Sequence, residues 1–167
     1  MTRFLLLCSI SLLLVACQSL PPANSTDTPA IKTVTLKQDF PIRPDRSNEY
    51  IQGGEIRPYE SIEQYYTHCK LELREIADIK RIVKPQIFNV TRIYRQEEFV
   101  GFRKMTLAGD GDSGLIMSTT YLFLQSEKQP DIFRLSCMRL DESFYARHVT
   151  VEEMQDTLGS IMTLHQP

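Results

Sequence analysis

Apolar positions along this chain change their period. In the segment 69–74, Cys69, Leu71 and Leu73 alternate with Lys70, Glu72 and Arg74. That pattern puts apolar side chains on one face of a strand and charges on the other. Alternation also places Phe133, Leu135 and Cys137 opposite Arg134 and Ser136. Strands are expected at 33–37, 49–52, 69–74, 86–94, 99–107, 115–124 and 132–140, where β-branched and aromatic residues cluster between turn residues. Pro41, Pro44 and Asp45 mark an irregular turn region, Gly53-Gly54 stops the second strand, and Tyr59 to Thr67 is expected to form one or two turns of helix. Gln96-Glu97-Glu98 reads as a hairpin tip, Asp110 to Gly114 as a turn, and Ser126 to Asp131 as the link of a further hairpin.

Near the C-terminus the period becomes helical. Thr150 with Glu153 three residues later fits a capping box, in which a hydroxyl and a carboxylate each satisfy a free backbone N–H. Val151, Met154, Leu158, Ile161 and Met162 follow at helical spacing, and Gly159 is placed to end the first part of that helix. The expected fold is mainly β, an antiparallel sandwich or partly open barrel of about seven strands with one C-terminal helix. The alternative is an α+β layer with the helix covering one open sheet face.

The N-terminus has a different grammar. Arg3 precedes an apolar run, Phe4 to Val15, of 12 residues. A bilayer-spanning helix needs about 20 residues, so the run reads as a secretory signal peptide. It closes on Leu14-Val15-Ala16-Cys17, which resembles the lipobox of bacterial envelope lipoproteins. The resemblance implies cleavage before Cys17 and acylation of Cys17. In lipoproteins of this kind Gln18, a residue other than Asp, implies sorting to the outer membrane, with the domain facing the periplasm. Residues 1–16 are then the signal peptide, 17–30 the lipidated cysteine and a flexible tether, and 31–167 a single globular domain. The tether, polar and proline-bearing, reaches on the order of 20 Å as a coil.

Charge and cysteine count narrow the picture further. The formal net charge of −2 becomes −3 once Arg3 leaves, and Lys and Arg form no basic block. This argues against a nucleic-acid partner. Cys8 leaves with the signal and Cys17 is the acylation candidate, so Cys69 and Cys137 remain in an oxidising compartment. Both lie on the apolar face of their strands, which favours a disulfide. Free buried thiols and metal or redox chemistry are the weaker alternatives.

Three chemical motifs fail on inspection. Gly111-Asp112-Ser113-Gly114 and His68-Cys69 echo serine-protease segments, but only 45 positions separate His68 from Ser113, and Leu115 and Ile116 follow in place of the expected glycine and proline. A triad is defined by geometry and roles, so the segment reads as a turn. Asp110 and Asp112 suggest half of a calcium loop, yet Tyr121 occupies the place of its closing glutamate. His68, Cys69, Cys137, His148 and His165 do not have the paired spacing of zinc ligands. No catalytic residue, metal or cofactor is assigned.

A candidate binding surface remains: Tyr50, Gln52, Tyr59, Tyr66, His68 and His148. Tyrosines crowd the segment 50–66, and an exposed tyrosine offers an apolar body with a polar tip. The packing alternative is that about half of them are core. From Tyr50 onward the chain resembles a family of uncharacterised Gram-negative envelope proteins. The likeness is carried by Gln52-Gly53-Gly54, Tyr65 with His68-Cys69, Leu71-Glu72, Pro85 to Arg92, Cys137 and Arg147-His148. It implies no reaction or substrate, but draws attention to Gln52-Gly53-Gly54 and Arg147-His148.

The functional expectation is a non-catalytic envelope lipoprotein, held at the membrane and binding another envelope protein or peptidoglycan. The alternatives are a small periplasmic hydrolase using His68 or His148 as base, and a carbohydrate binder working through its tyrosines.

Overall fold

In a computed structural model the described residues are 29–101 and 114–167. The fold is mainly β, a curled open sheet forming a half-barrel with one C-terminal helix. Ten strands run through the described residues, more than the seven expected: β1 (Thr33–Leu36), β2 (Phe40–Ile42), β3 (Arg46–Gln52), β4 (Glu55–Arg57), β5 (His68–Ala77), β6 (Arg81–Val83), β7 (Gln86–Val100), β8 (Leu115–Gln125), β9 (Ile132–Glu142) and β10 (Met162–His165). Eight of them form one sheet in the order β10-β1-β7-β8-β9-β5-β3-β4, while β2 and β6 pair separately. One curled sheet excludes the sandwich and matches the partly open barrel.

Alternation set the inner face. Cys69, Leu71, Leu122, Leu135 and Cys137 are fully buried there with Phe88, Val34 and Leu36. The helix α1 (Val151–Leu158) lies against β10, β5 and β3, so it bridges strands from both halves of the open sheet. Its Met154 and Leu158 are fully buried. Thr150 Oγ1 accepts from the Glu153 backbone N–H at 3.2 Å, and the Thr150 backbone N–H donates to Glu153 Oε2 at 2.8 Å. The capping box therefore forms as the sequence implies. Gly159 ends the helix completely: Ile161 follows in the return, and Met162 opens β10.

Three local expectations are corrected. Gln96-Glu97-Glu98 is not a hairpin tip but the interior of the 15-residue β7, paired with Thr119, Ser118 and Met117. Polar residues persist there because both faces of the sheet are open to polar surroundings at that end. Of the return strand expected at 99–107, Phe99 and Val100 belong to β7, and the rest beyond Gly101 lies outside the described residues, as does the turn at 110–113. The region around Pro41 holds β2, whose Phe40 and Ile42 are buried while Pro41 points outward. Proline is tolerated because a two-stranded ribbon leaves one edge free. Tyr59 to Thr67 holds one helical turn, of the 3-10 kind, at Tyr59–Ser61, within the one or two turns expected, and is otherwise irregular. Finally, Phe133 leaves the face of Leu135 and Cys137. Glu72 pairs with Arg134 and Leu73 with Ile132, so Phe133 is the extra residue of a bulge. Its ring packs edge-on against Phe123 at 5.6 Å.

Candidate functional site

The inner face changes character toward the end of the half-barrel formed by the last residues of β7 and the first of β8. The apolar rungs give way to Arg95 opposite Thr120 and Glu97 opposite Ser118. These rungs, the connection from β9 to α1 and the residues leading into β1 enclose a cavity of about 570 Å³. Arg95, Glu97, Arg147, His148, Thr150 and Pro29 line it.

The Arg147 wall is held from behind. Glu153, fixed by the capping box, accepts from Arg147 Nη2 at 2.6 Å and Nη1 at 2.9 Å, and from Arg139 Nη1 at 3.2 Å. Arg139 in turn donates to Asp141 at 2.8 Å. The hydrogen bonds from Arg147 outweigh the opposing effect of burial and, with the Thr150 N–H, hold the Glu153 carboxyl at about 2. His148 Nε2 stands 3.7 Å from a Glu97 oxygen. Burial and the Arg95 charge push the His148 imidazole below its ordinary value, against the pull of Glu97. The ring is therefore neutral at pH 7.

Among the described residues, His148 Nδ1 and the hydroxyls of Ser118 and Thr120 have no hydrogen-bond partner. Both hydroxyl residues are fully buried. Buried polar groups are ordinarily paired, and an unpaired one costs about 1–3 kcal/mol. The site thus offers guanidinium donors, a carboxylate acceptor and a neutral imidazole, a set suited to a small polar group carrying charge. Among the described residues no three His, Cys, Asp or Glu side chains converge to hold a metal ion.

The structure separates the residues of the candidate surface read from the sequence. His148 belongs to the cavity. His68 occupies the opposite face of the sheet, because it precedes the inward-facing Cys69 in β5. It is 1% exposed, and its Nδ1–H donates to the Tyr66 carbonyl at 3.0 Å. Burial lowers its affinity for a proton. The two histidines therefore serve separate surroundings. Gln52 clamps the irregular segment: its Nε2 donates to the Glu63 carbonyl at 2.9 Å and its Oε1 accepts from the Glu63 N–H at 3.0 Å. Tyr50 packs against Tyr59 at 5.3 Å and against His68 at 6.2 Å. Tyr59, Tyr65 and Tyr66 remain exposed at 48%, 54% and 70%.

Two functional features escaped the sequence reading. Arg95 and Glu97 were hidden by the hairpin expected beside them. The outer face also carries an aromatic and arginine stack: Tyr94 stacks on Tyr121 at 6.0 Å, Arg92 lies 4.1 Å over Phe123, and Arg134 lies 4.5 Å over Tyr121. The signal was present in β8, where Tyr121 and Phe123 alternate with Leu122 and Leu124 so that even the outward positions are aromatic.

Cys69 and Cys137 pair directly across β5 and β9 and are joined by a disulfide. No helix among the described residues is long and apolar enough to cross a membrane. The lipobox residues 14–17 lie outside the described residues. No known protein family, curated protein or solved structure matches the chain.

Proposed function

We propose that this protein is a non-catalytic envelope lipoprotein, acylated on Cys17, whose half-barrel is a tethered binding module. The observation that carries the reading is the polar cavity of about 570 Å³ walled by Arg95, Glu97, Arg147 and His148. Its volume is in the range of small-ligand sites, and its Arg147 wall is held by Glu153, which also accepts from Arg139. Pre-organised charges favour binding because little ordering remains when a ligand arrives. His148 lacks a hydroxyl or thiol on either ring nitrogen among the described residues, so the cavity supports recognition better than nucleophilic chemistry.

Two experiments test the two halves of this reading. Cys17→Ser is expected to move the protein from the membrane to the soluble fraction; continued membrane fractionation refutes the anchor. A photo-crosslinking residue at Ala146, on the cavity wall, is expected to give a discrete adduct in intact cells, while one at Ile76, exposed at the opposite end, gives none. Equal labelling from both positions refutes the cavity as the binding site.

A second reading rests on the exposed Tyr59, Tyr65 and Tyr66, whose rings suit stacking on a glycan strand. On that reading Tyr59→Ala with Tyr66→Ala abolishes retention on isolated cell-wall sacculi. Unchanged retention removes it.

A further inference from the structure

The end of the half-barrel that opens into the cavity also carries four exposed apolar side chains. Phe99 pairs with Ile116 and Val100 with Leu115 on the last rungs of β7 and β8, and they are 49% and 38% exposed. β9 reaches the same end, where Glu142 pairs with Leu115 and the Ser143 N–H donates to the Gly114 carbonyl at 2.7 Å. Phe144 and Tyr145 follow, 88% and 67% exposed, with their rings edge to face at 5.2 Å. Chain turns on a water-facing surface favour polar residues, so an almost fully exposed phenylalanine beside a tyrosine calls for a partner.

The chain that leads toward Cys17 leaves at this end. Pro29 lines the cavity together with Ala146 and His148, directly after the Phe144-Tyr145 pair. Twelve residue steps separate Cys17 from Pro29. They span about 20 Å as a flexible coil and about 40 Å when fully stretched. Isoleucines are exposed at the opposite end too, Ile76, Ile79, Ile82 and Ile87, but they stand among Glu75, Asp78, Lys80, Arg81 and Lys84. The 15 residues of β7 alone measure about 50 Å, and Pro29 lies beside Arg95 and Glu97, so the tether meets the domain nearer the Phe144 end than the isoleucine end.

We propose that this end is a membrane-docking surface: Phe99, Val100, Phe144 and Tyr145 seat in the headgroup region of a lipid surface. Phenylalanine and tyrosine suit that depth, where an apolar ring and a polar rim are both accommodated. The proposal rests on acylation of Cys17 and goes beyond it, because a flexible tether fixes where the domain is but not which face it presents. Docked in this way, the cavity opens beside the membrane.

The chain contains no tryptophan, so one introduced indole reports its own surroundings. The full-length acylated protein carrying Phe144→Trp, and separately Ile79→Trp, is reconstituted on phosphatidylethanolamine–phosphatidylglycerol vesicles with bromine-labelled acyl chains. Phe144→Trp is expected to emit at shorter wavelength and to lose about half of its intensity to the bromines, while Ile79→Trp keeps its intensity. Equal quenching of the two, or stronger quenching at Ile79→Trp, with both proteins sedimenting on the vesicles, overturns the docking and leaves the anchor standing. Failure of both to sediment overturns the anchor and the docking with it.

Discussion

Gly54 and Gly159 meet backbone to backbone. The Gly54 N–H donates to the Thr157 carbonyl at 2.9 Å, and a Cβ on Gly159 would lie 2.7 Å from the Gly54 Cα. The turn between β3 and β4 is thereby docked on the C-terminus of α1, which joins one margin of the open sheet to the helix inside it. Both glycines also have positive φ, 76° at Gly54 and 54° at Gly159.

That contact predicts unequal costs for neighbouring glycines. Gly159 combines φ 54° with ψ −130°, a region essentially closed to residues with a Cβ, and has no room for one. Gly159→Ala is expected to cost about 2–3 kcal/mol in denaturant unfolding, from strain and from separation of the turn. Gly53 has φ 60° and nothing within 4 Å of an added Cβ. Gly53→Asn should be close to neutral, because asparagine tolerates this conformation and suits the first position of such a turn. Equal costs at the two sites would remove the docking argument.

Legibility in the sequence followed how many faces each segment buries. Cys69, Leu71 and Leu73 alternate because one side of β5 faces the core, so strand, face and disulfide were all readable. Gln96, Glu97 and Glu98 could not be read as strand. Glu97 faces a polar cavity, and its neighbours face the outer surface, so no apolar face is left to count. His148 was visible only as a residue before a capped helix, since its partner Glu97 comes from a strand 51 positions earlier. The bulge that turns Phe133 outward leaves no local mark, because register is set by β5 across the sheet.

The disulfide should carry a large share of the stability. Cys69 and Cys137 are separated by 68 positions and are fully buried. Closing a loop of that length removes roughly 4 kcal/mol of unfolded-chain entropy in the loop-closure model. Cys69→Ala with Cys137→Ala is expected to lower stability by about 2–4 kcal/mol, read as a lower denaturant midpoint. Alkylation of the native, unreduced protein should modify neither residue.

Acid should destabilise the fold in two separate windows. His148 and His68 bind protons less readily when folded, burial being the first cause for both. The unfolded chain therefore takes up their protons first, and stability falls as pH drops below about 6.5. His148→Gln should flatten that slope. Glu153 is held at about 2, chiefly by Arg147, so its contribution is complete above the ordinary carboxylate value of 4.5 and is lost as pH falls toward 2. Glu153→Gln should start from lower stability and show a shallower decline across this lower window. Parallel pH profiles for wild type and both variants would refute the assignment.

On the outer face Glu72 is the acceptor around which the neighbouring cations are arranged. It is 8% exposed and accepts from Arg134 Nε at 3.0 Å, Arg134 Nη2 at 3.1 Å and Ser136 Oγ at 2.8 Å, with Lys70 Nζ at 3.2 Å. Burial opposes its charge, but these partners together outweigh burial and keep the carboxyl below its ordinary value. Arg134 is at once ion-paired and laid over Tyr121 at 4.5 Å and Phe133 at 4.9 Å. Removing the carboxylate should therefore loosen the aromatic stack as well as the ion pair. Glu72→Gln is expected to cost about 2 kcal/mol, because several charge-assisted hydrogen bonds weaken at once. Arg134→Lys keeps a charge but loses the fork and the flat stacking surface, and should cost about 1 kcal/mol. The double variant should cost less than the sum of the two, with a coupling of about 1 kcal/mol in denaturant unfolding. Strict additivity would mean that Glu72 and Arg134 act independently, and the outer stack would then have to be held by the aromatic rings alone.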